Sequence, residues 1–183
     1  MPAELKRSLT AVRMSTHHYN HHPFSPSGGM RDRARGCGDV EMTVEENLRV
    51  IDVFIDAFNE RHWDRVVDPH AESVVYWTPD NTEPKRGRAA IRDLFVGYTS
   101  AFPDARNRKE RAFGAEDWVC VEYVFTGTHM GPLKGPAGKV VQGTMKFVRI
   151  PWVSVYKLAG RRITDWHAYW DALGMWVQLG SLP

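Results

Sequence analysis

Apolar residues change their period once along this chain, and that change constrains the fold more than any other feature. Leu48, Ile51, Ile55 and Phe58 recur at helical spacing, broadened by Val50, Phe54 and Ala57, and the helical period returns at Ile91, Leu94, Phe95 and Tyr98. Beyond Pro103 the pattern is that of strands. Thr43-Val-Glu-Glu46 opens the first helix as a capping box: the Thr side chain accepts from the backbone of residue 46, and Glu46 reaches back. Asn59 to Trp63 closes that helix. A short helix over Asp64–Val67 is stopped by Pro69, a strand follows over Ser73–Thr78 and a turn over Pro79–Pro84. A second long helix covers Arg88–Phe102. Strands are expected at 106–113, 117–128, 140–157 and 162–170, with a Gly/Pro loop from Gly131 to Gly138 and a last helix over Ala172–Leu179 capped by Asp171. Helices first and antiparallel strands afterwards define an α+β fold whose helices cover one face of a curved sheet.

Residues 1–42 lack this patterning. They are rich in Ser, Gly, Pro, His and Arg, cannot bury enough surface to offset their ordering entropy, and are expected to form a loosely attached tail ahead of a domain at 43–183. All seven tryptophans lie in that domain. Residues 1–40 hold six Lys/Arg against three acidic residues, so of the chain's net charge of +2 the remaining residues contribute −1. A basic face for nucleic acid is therefore not expected on the body. The cluster His17, His18, His21, His22 reads as solvated tail in preference to a metal or phosphate contact. Met42, just ahead of the first helix signal, is a candidate translation start. No apolar stretch reaches the ~18 residues of a membrane span, and Lys6, Arg7 and Arg13 interrupt what would be the apolar run of a signal peptide. Cys37 and Cys120 read as free thiols of a reducing cytoplasm, since their spacing suits neither a disulfide framework nor a metal site.

Four stretches carry a resemblance: Arg86-Gly-Arg-Ala-Ala-Ile91; Ala101-Phe-Pro-Asp104; Phe125-Thr-Gly-Thr-His129-Met-Gly-Pro-Leu133; and Ile163-Thr-Asp-Trp-His-Ala-Tyr-Trp-Asp171, followed by Leu173-Gly174 and Gln178-Leu-Gly180. In this order they resemble the SnoaL-like polyketide cyclases, a branch of the nuclear transport factor two-like fold. Residues 140–147 look like extra length before a strand beginning near Val148. The resemblance implies a cone of helices and mostly antiparallel sheet around a deep pocket for a small hydrophobic molecule, and a homodimer packed through the sheet. It also implies chemistry with neither metal nor organic cofactor. In the cyclases a pocket carboxylate acts as general acid and base in an aldol ring closure. Counted back from Gln178-Leu-Gly180, that carboxylate falls on Ala168 and a partner histidine on Ser154, so the cyclase apparatus is missing at both positions.

Side chains alternate along strands, which groups Trp152, Ser154 and Tyr156 on one strand face and Thr164, Trp166, Ala168 and Trp170 on another. Turned inward, Trp152, Tyr156, Trp166 and Trp170 make an aromatic box suited to a flat or polycyclic ligand, with Ser154 and Ala168 between them and Tyr76 available to donate to a ligand oxygen. The competing reading is ordinary core packing. Asp165 and His167 share the opposite face of the last strand, either as a catalytic acid–base pair or as a polar dimer face. His129 either lines the pocket mouth as a third catalytic group or ties down its loop. Two motifs carry no chemistry. Ser154-Val-Tyr-Lys157 matches S-x-x-K but places its Ser and Lys on opposite faces of a strand, and Gly131–Lys139 lacks P-loop spacing. The expectation is a cofactor-free acid/base enzyme (cyclase, isomerase, dehydratase or hydrolase) on a small hydrophobic molecule. The alternative is a non-catalytic binding or accessory protein. The two are separated by whether Asp, Glu or His points into the cavity.

Overall fold

The computed structural model describes residues 42–81, 83–135 and 138–181; apart from Met42, the expected tail lies outside them, with Cys37 and the histidine cluster. In chain order the elements are α1 (Val44–Glu60), α2 (Trp63–Val67), β1 (His70–Trp77), β2 (Lys85–Arg86), α3 (Arg88–Ala101), β3 (Arg106–Ala115), β4 (Trp118–Thr128), β5 (Leu133–Lys134), β6 (Val140–Val141), β7 (Phe147–Ala159), β8 (Arg162–Trp170) and α4 (Ala172–Leu179). The capping box of α1 is made in both directions: Glu46 N–H donates to Thr43 Oγ1 at 3.2 Å and Thr43 N–H to Glu46 Oε2 at 2.9 Å. Arg61, in the left-handed region at φ 63°, ends the helix by returning its N–H to the carbonyls of Ala57 and Phe58. Asp171 caps α4 by accepting from the Gly174 N–H.

Six strands form one sheet in the order β2-β1-β8-β7-β4-β3, while β5 and β6 pair in a separate two-stranded ribbon. Every pairing in the large sheet is antiparallel except that of β1 with β8, which is parallel. Alternation gives this sheet an inner face (Val119, Val121 and Tyr123 of β4; Trp152, Ser154 and Tyr156 of β7; Trp166 and Ala168 of β8), and all of these residues are buried. Ile51, Phe54, Ile55 and Phe58 of α1 and Ile91 and Phe95 of α3 complete the core. The α+β expectation therefore holds, with the helices over one face of the sheet.

Two expected boundaries and one strand register shift for identifiable reasons. The strand expected at 140–157 is divided: Val140–Val141 pairs with β5, and β7 begins only at Phe147. Between them the chain turns, with Met145 at φ 59° and Gly143 packed so closely that a Cβ there would lie 2.2 Å from Met130 O. β1 starts at His70, before the expected Ser73, because the chain already pairs with β8 there, His70 opposite Ile163. On β8 a register shift between Ile163 and Asp165 carries Ile163 into the core beside Trp166, leaving Thr164 out of the inner row and its hydroxyl on Lys157 O at 3.3 Å.

Two of the stretches quoted above meet at one end of the sheet. Asp104 accepts from both the backbone N–H and the hydroxyl of Thr128 at 2.7 Å, and Ala101 O accepts from the N–H groups of Met130 and Gly131. Phe102 packs beneath Gly127, where a Cβ would come within 3.1 Å of the Phe102 Cβ.

Candidate functional site

Between α1, α3 and the inner face of the sheet lies a cavity of ≈ 20 Å³, lined by Phe54, Ile55, Phe58, Leu94, Phe95, Tyr98, Asn107, Tyr123, Phe125, Trp152 and Trp166. That is room for about one water. The aromatic side chains themselves fill the space that a larger ligand would take.

Trp166 is the centre of this interior. Phe95 stacks on it at 5.6 Å and 10°, Tyr156 at 6.0 Å and 10°, Tyr76 at 5.7 Å and 30°, and Phe54 meets it edge-on at 6.1 Å. Trp152 stacks on Trp170 across the β7–β8 pair at 3.9 Å and on Tyr123 at 5.8 Å. Ser154 sits among them, fully buried, opposite Ala168 in the register. Its Oγ lies 3.1 Å from Trp152 Nε1, 3.0 Å from Trp166 Nε1 and 2.8 Å from Tyr123 Oη. The hydroxyl thereby fixes both indoles and one phenol. Burial raises the Tyr123 and Tyr156 hydroxyls well above the ordinary phenol range, so both are neutral donors at any physiological pH.

The structure thus brings together Tyr76, Trp152, Ser154, Tyr156, Trp166, Ala168 and Trp170, with Trp170 half-buried behind Trp152 and the Tyr76 hydroxyl on Ala90 O at 3.3 Å. It does not bring Asp165, His167 and His129 to the same place. Asp165 and His167 lie on the opposite, outer face of β8, paired in register with Lys157 and Val155. His129 is fully buried under Phe102, its Nδ1 at 3.1 Å from Thr144 Oγ1 and accepting from the Thr144 N–H at 3.3 Å, and it does not line the cavity. Its backbone N–H donates to Lys146 O and its carbonyl accepts from Met145 N–H, so the residue ties the strand ends together. Burial lowers its pKa and keeps the ring neutral.

One pair went unread in the sequence. Tyr98, on the last turn of α3, donates to Asp80 Oδ2 at 2.5 Å, and its ring stands edge-on to Trp152 at 6.3 Å. Apolar surroundings push the Asp80 carboxyl upward, against the lowering effect of the tyrosine bond, and burial and the Asp80 charge together raise Tyr98 well above the phenol range. The helical period had marked Tyr98 only as part of an apolar stripe, and nothing in the turn Pro79–Pro84 singled out Asp80. Among the cavity-lining residues, Tyr98 and Tyr123 carry the hydroxyls, and no Asp, Glu or His is present.

A model of the SnoaL-like polyketide cyclases matches residues 48–179. The chain belongs to this family. No curated protein matches the sequence. Among solved structures, AclR of Streptomyces galilaeus, a candidate hydroxylase, is 22% identical with a TM-score of 0.65, over 77% of this chain and 100% of that one. A candidate SnoaL-like polyketide cyclase of Jannaschia sp. CCS1 is 17% identical with a TM-score of 0.67, over 82% and 100%. An LEH-like epoxide hydrolase of M. tuberculosis is 18% identical with a TM-score of 0.57, over 74% and 90%. At these identities the likeness is one of fold: a nuclear transport factor two-like arrangement of helices on a curved sheet.

Proposed function

We propose that this chain holds a flat, apolar small molecule in the aromatic interior between α1, α3 and the sheet, and that holding it is its primary task. The observation that carries this reading is the lining itself: aromatic and aliphatic walls, two phenols and one amide, with neither carboxylate nor imidazole. Ser154 and Ala168, which stand where the resemblance puts the cyclase histidine and carboxylate, are both buried behind this lining, one clamping the indoles of Trp152 and Trp166 and the other contributing only a methyl group. Because the cavity is small, binding has to open it. Leu94 and Tyr98, half-buried on α3, are the lining side chains freest to yield. No metal or organic cofactor enters this reading. A fluorescence titration of the full chain with indane, a compact bicyclic hydrocarbon, tests it. Saturable 1:1 quenching of tryptophan is expected, and a linear response up to the solubility limit would sink the reading. Native mass spectrometry of freshly purified protein would show a co-purified ligand directly.

A second reading, cofactor-free acid/base catalysis of the cyclase, isomerase, dehydratase or hydrolase type, is favoured by the Tyr98–Asp80 pair. The Tyr98 hydrogen is already directed at Asp80, so Tyr98 Oη can accept a proton from a bound ligand while passing its own to the carboxylate. Asp165 and His167 would need the ligand on the outer face, and their position fits a dimer surface better. We also propose that two copies pair through that outer face, in the cytoplasm, with no role for nucleic acid. No described helix is long and apolar enough to cross a membrane.

A further inference from the structure

Counting hydrogens around Ser154 shows what the interior lacks. An indole N–H can only donate, so Trp152 and Trp166 occupy both lone pairs of Ser154 Oγ. The serine hydrogen must then go to Tyr123 Oη, 2.8 Å away, and Tyr123 cannot return its own hydrogen to the serine. The Tyr156 hydroxyl, buried near the same two oxygens, makes no hydrogen bond among the described residues. If Tyr123 donated to Tyr156, the Tyr156 hydrogen would be left over; if Tyr156 donated to Tyr123, the Tyr123 hydrogen would be. Either way one phenolic hydrogen is left without a partner inside the cluster, since each pair of oxygens shares a single hydrogen and both lone pairs of Ser154 are taken. Of the two phenols only Tyr123 lines the cavity. The Trp170 indole, stacked behind Trp152, adds another buried N–H without a partner among the described residues. The other unpartnered polar atom on the lining is Asn107 Oδ1, and it makes no bond to Tyr123.

We infer that Ser154 positions Tyr123 as a hydrogen-bond donor into the cavity, and that the ligand is selected for a neutral acceptor oxygen, a ketone carbonyl being the simplest, placed against Tyr123 Oη. This rests on the reading of the interior as a small-molecule site. A carboxylate in this position is disfavoured, because the walls offer it one hydrogen bond and no cation in exchange for its hydration. Asn107 Oδ1 would take a donor from the same ligand.

The test compares indane with 1-indanone, which differ by a methylene against a carbonyl, on the full chain and on Tyr123→Phe. Raw affinities are uninformative, since the ketone is better hydrated; the indanone-to-indane affinity ratio is the quantity to follow. It is expected to fall about ten-fold in Tyr123→Phe, and the infrared carbonyl band of bound indanone is expected to move to lower frequency in the unaltered protein and back in the variant. An unchanged ratio, or a carbonyl band in the unaltered protein that matches the ketone in alkane, overturns the proposal. If Tyr123→Phe does not fold, the band in the unaltered protein decides alone. Binding of neither compound overturns the small-molecule reading and this inference with it, whereas binding of both with no carbonyl shift overturns only the inference.

Discussion

At the scale of single residues, the interior is governed by groups whose burial leaves them little choice of state. His70 is fully buried, edge-on to Phe54 at 5.2 Å, and neither ring nitrogen makes a well-formed hydrogen bond among the described residues. Burial lowers its pKa to about 4, only partly offset by the nearby carbonyls of Val66 and Val67. A histidine depressed in the folded state stabilises the fold fully above its unfolded pKa, near 6.5, and loses that contribution as pH falls through the folded value. Chemical denaturation at pH 7 and at pH 4 should therefore differ by about 3 kcal/mol from this residue, and His70→Phe should remove that share of the slope. Ala168 offers the opposite sign. Its methyl is fully buried, facing Ser154 in the register and flanked along the strand by Trp166 and Trp170. An aspartate there would have a raised pKa, so Ala168→Asp should cost on the order of 3 kcal/mol at pH 8 and recover part of it towards pH 5 relative to the unaltered protein. Equal penalties at both pH values would place the new carboxylate in water and refute the inward register.

Among the elements, those bounded by their own residues were the ones the sequence disclosed. β8 and α4 keep the bounds expected of them, β8 departing from alternation only at Thr164, and the Thr43–Glu46 box starts α1 as read. The division of 140–157 was marked by the resemblance, which set 140–147 apart as extra length, but hidden from periodicity, because Val140 and Val141 are good strand residues and what stops them is not in their own side chains. It is the close approach of Gly143 to Met130 and the hold of His129 on the Thr144–Lys146 backbone. Alternation likewise put Ser154 on the inner face of β7, but it assigns a face and not a partner, so the hold of its hydroxyl on Trp152 of the same strand and on Trp166 and Tyr123 of the two neighbouring strands stayed unread. The Tyr98–Asp80 pair escaped for the same reason, one residue sitting in a helix stripe and the other in a turn. The junction of α3 with the β4 end offers a direct check. A Cβ on Gly131 would come 2.2 Å from Ser100 O, a backbone atom that cannot step aside cheaply. Gly131→Ala should lower stability by about 2–4 kcal/mol in a denaturant melt, and a neutral result would mean that the junction is slack.

For the molecule as a whole, the outer face of the sheet is the surface in need of explanation. Phe113, Trp118 and Tyr169 stand there 59%, 44% and 47% exposed, with Val153, Val155 and Trp77 between the charged residues. No described element covers them, and a face of this kind suits a second copy better than water. Light scattering at micromolar concentration should report about twice the 20.9 kDa of one chain, and Trp118→Lys with Tyr169→Lys should bring it down to one; a single-chain mass before mutation would refute the pairing. The parallel seam between β1 and β8 has a consequence of another kind, in the order of events during synthesis. His70 finds its partner in Ile163, so the strand made first in this sheet is sealed by the strand made last. At roughly 5–20 residues per second, a ribosome would spend several seconds with Val74 and Tyr76 already outside and no neighbour yet made for that edge. Such a chain cannot settle piece by piece as it emerges. Its first half waits as a sticky, unsealed intermediate, and protection of β1 from a protease should appear only in nascent chains long enough to include β8.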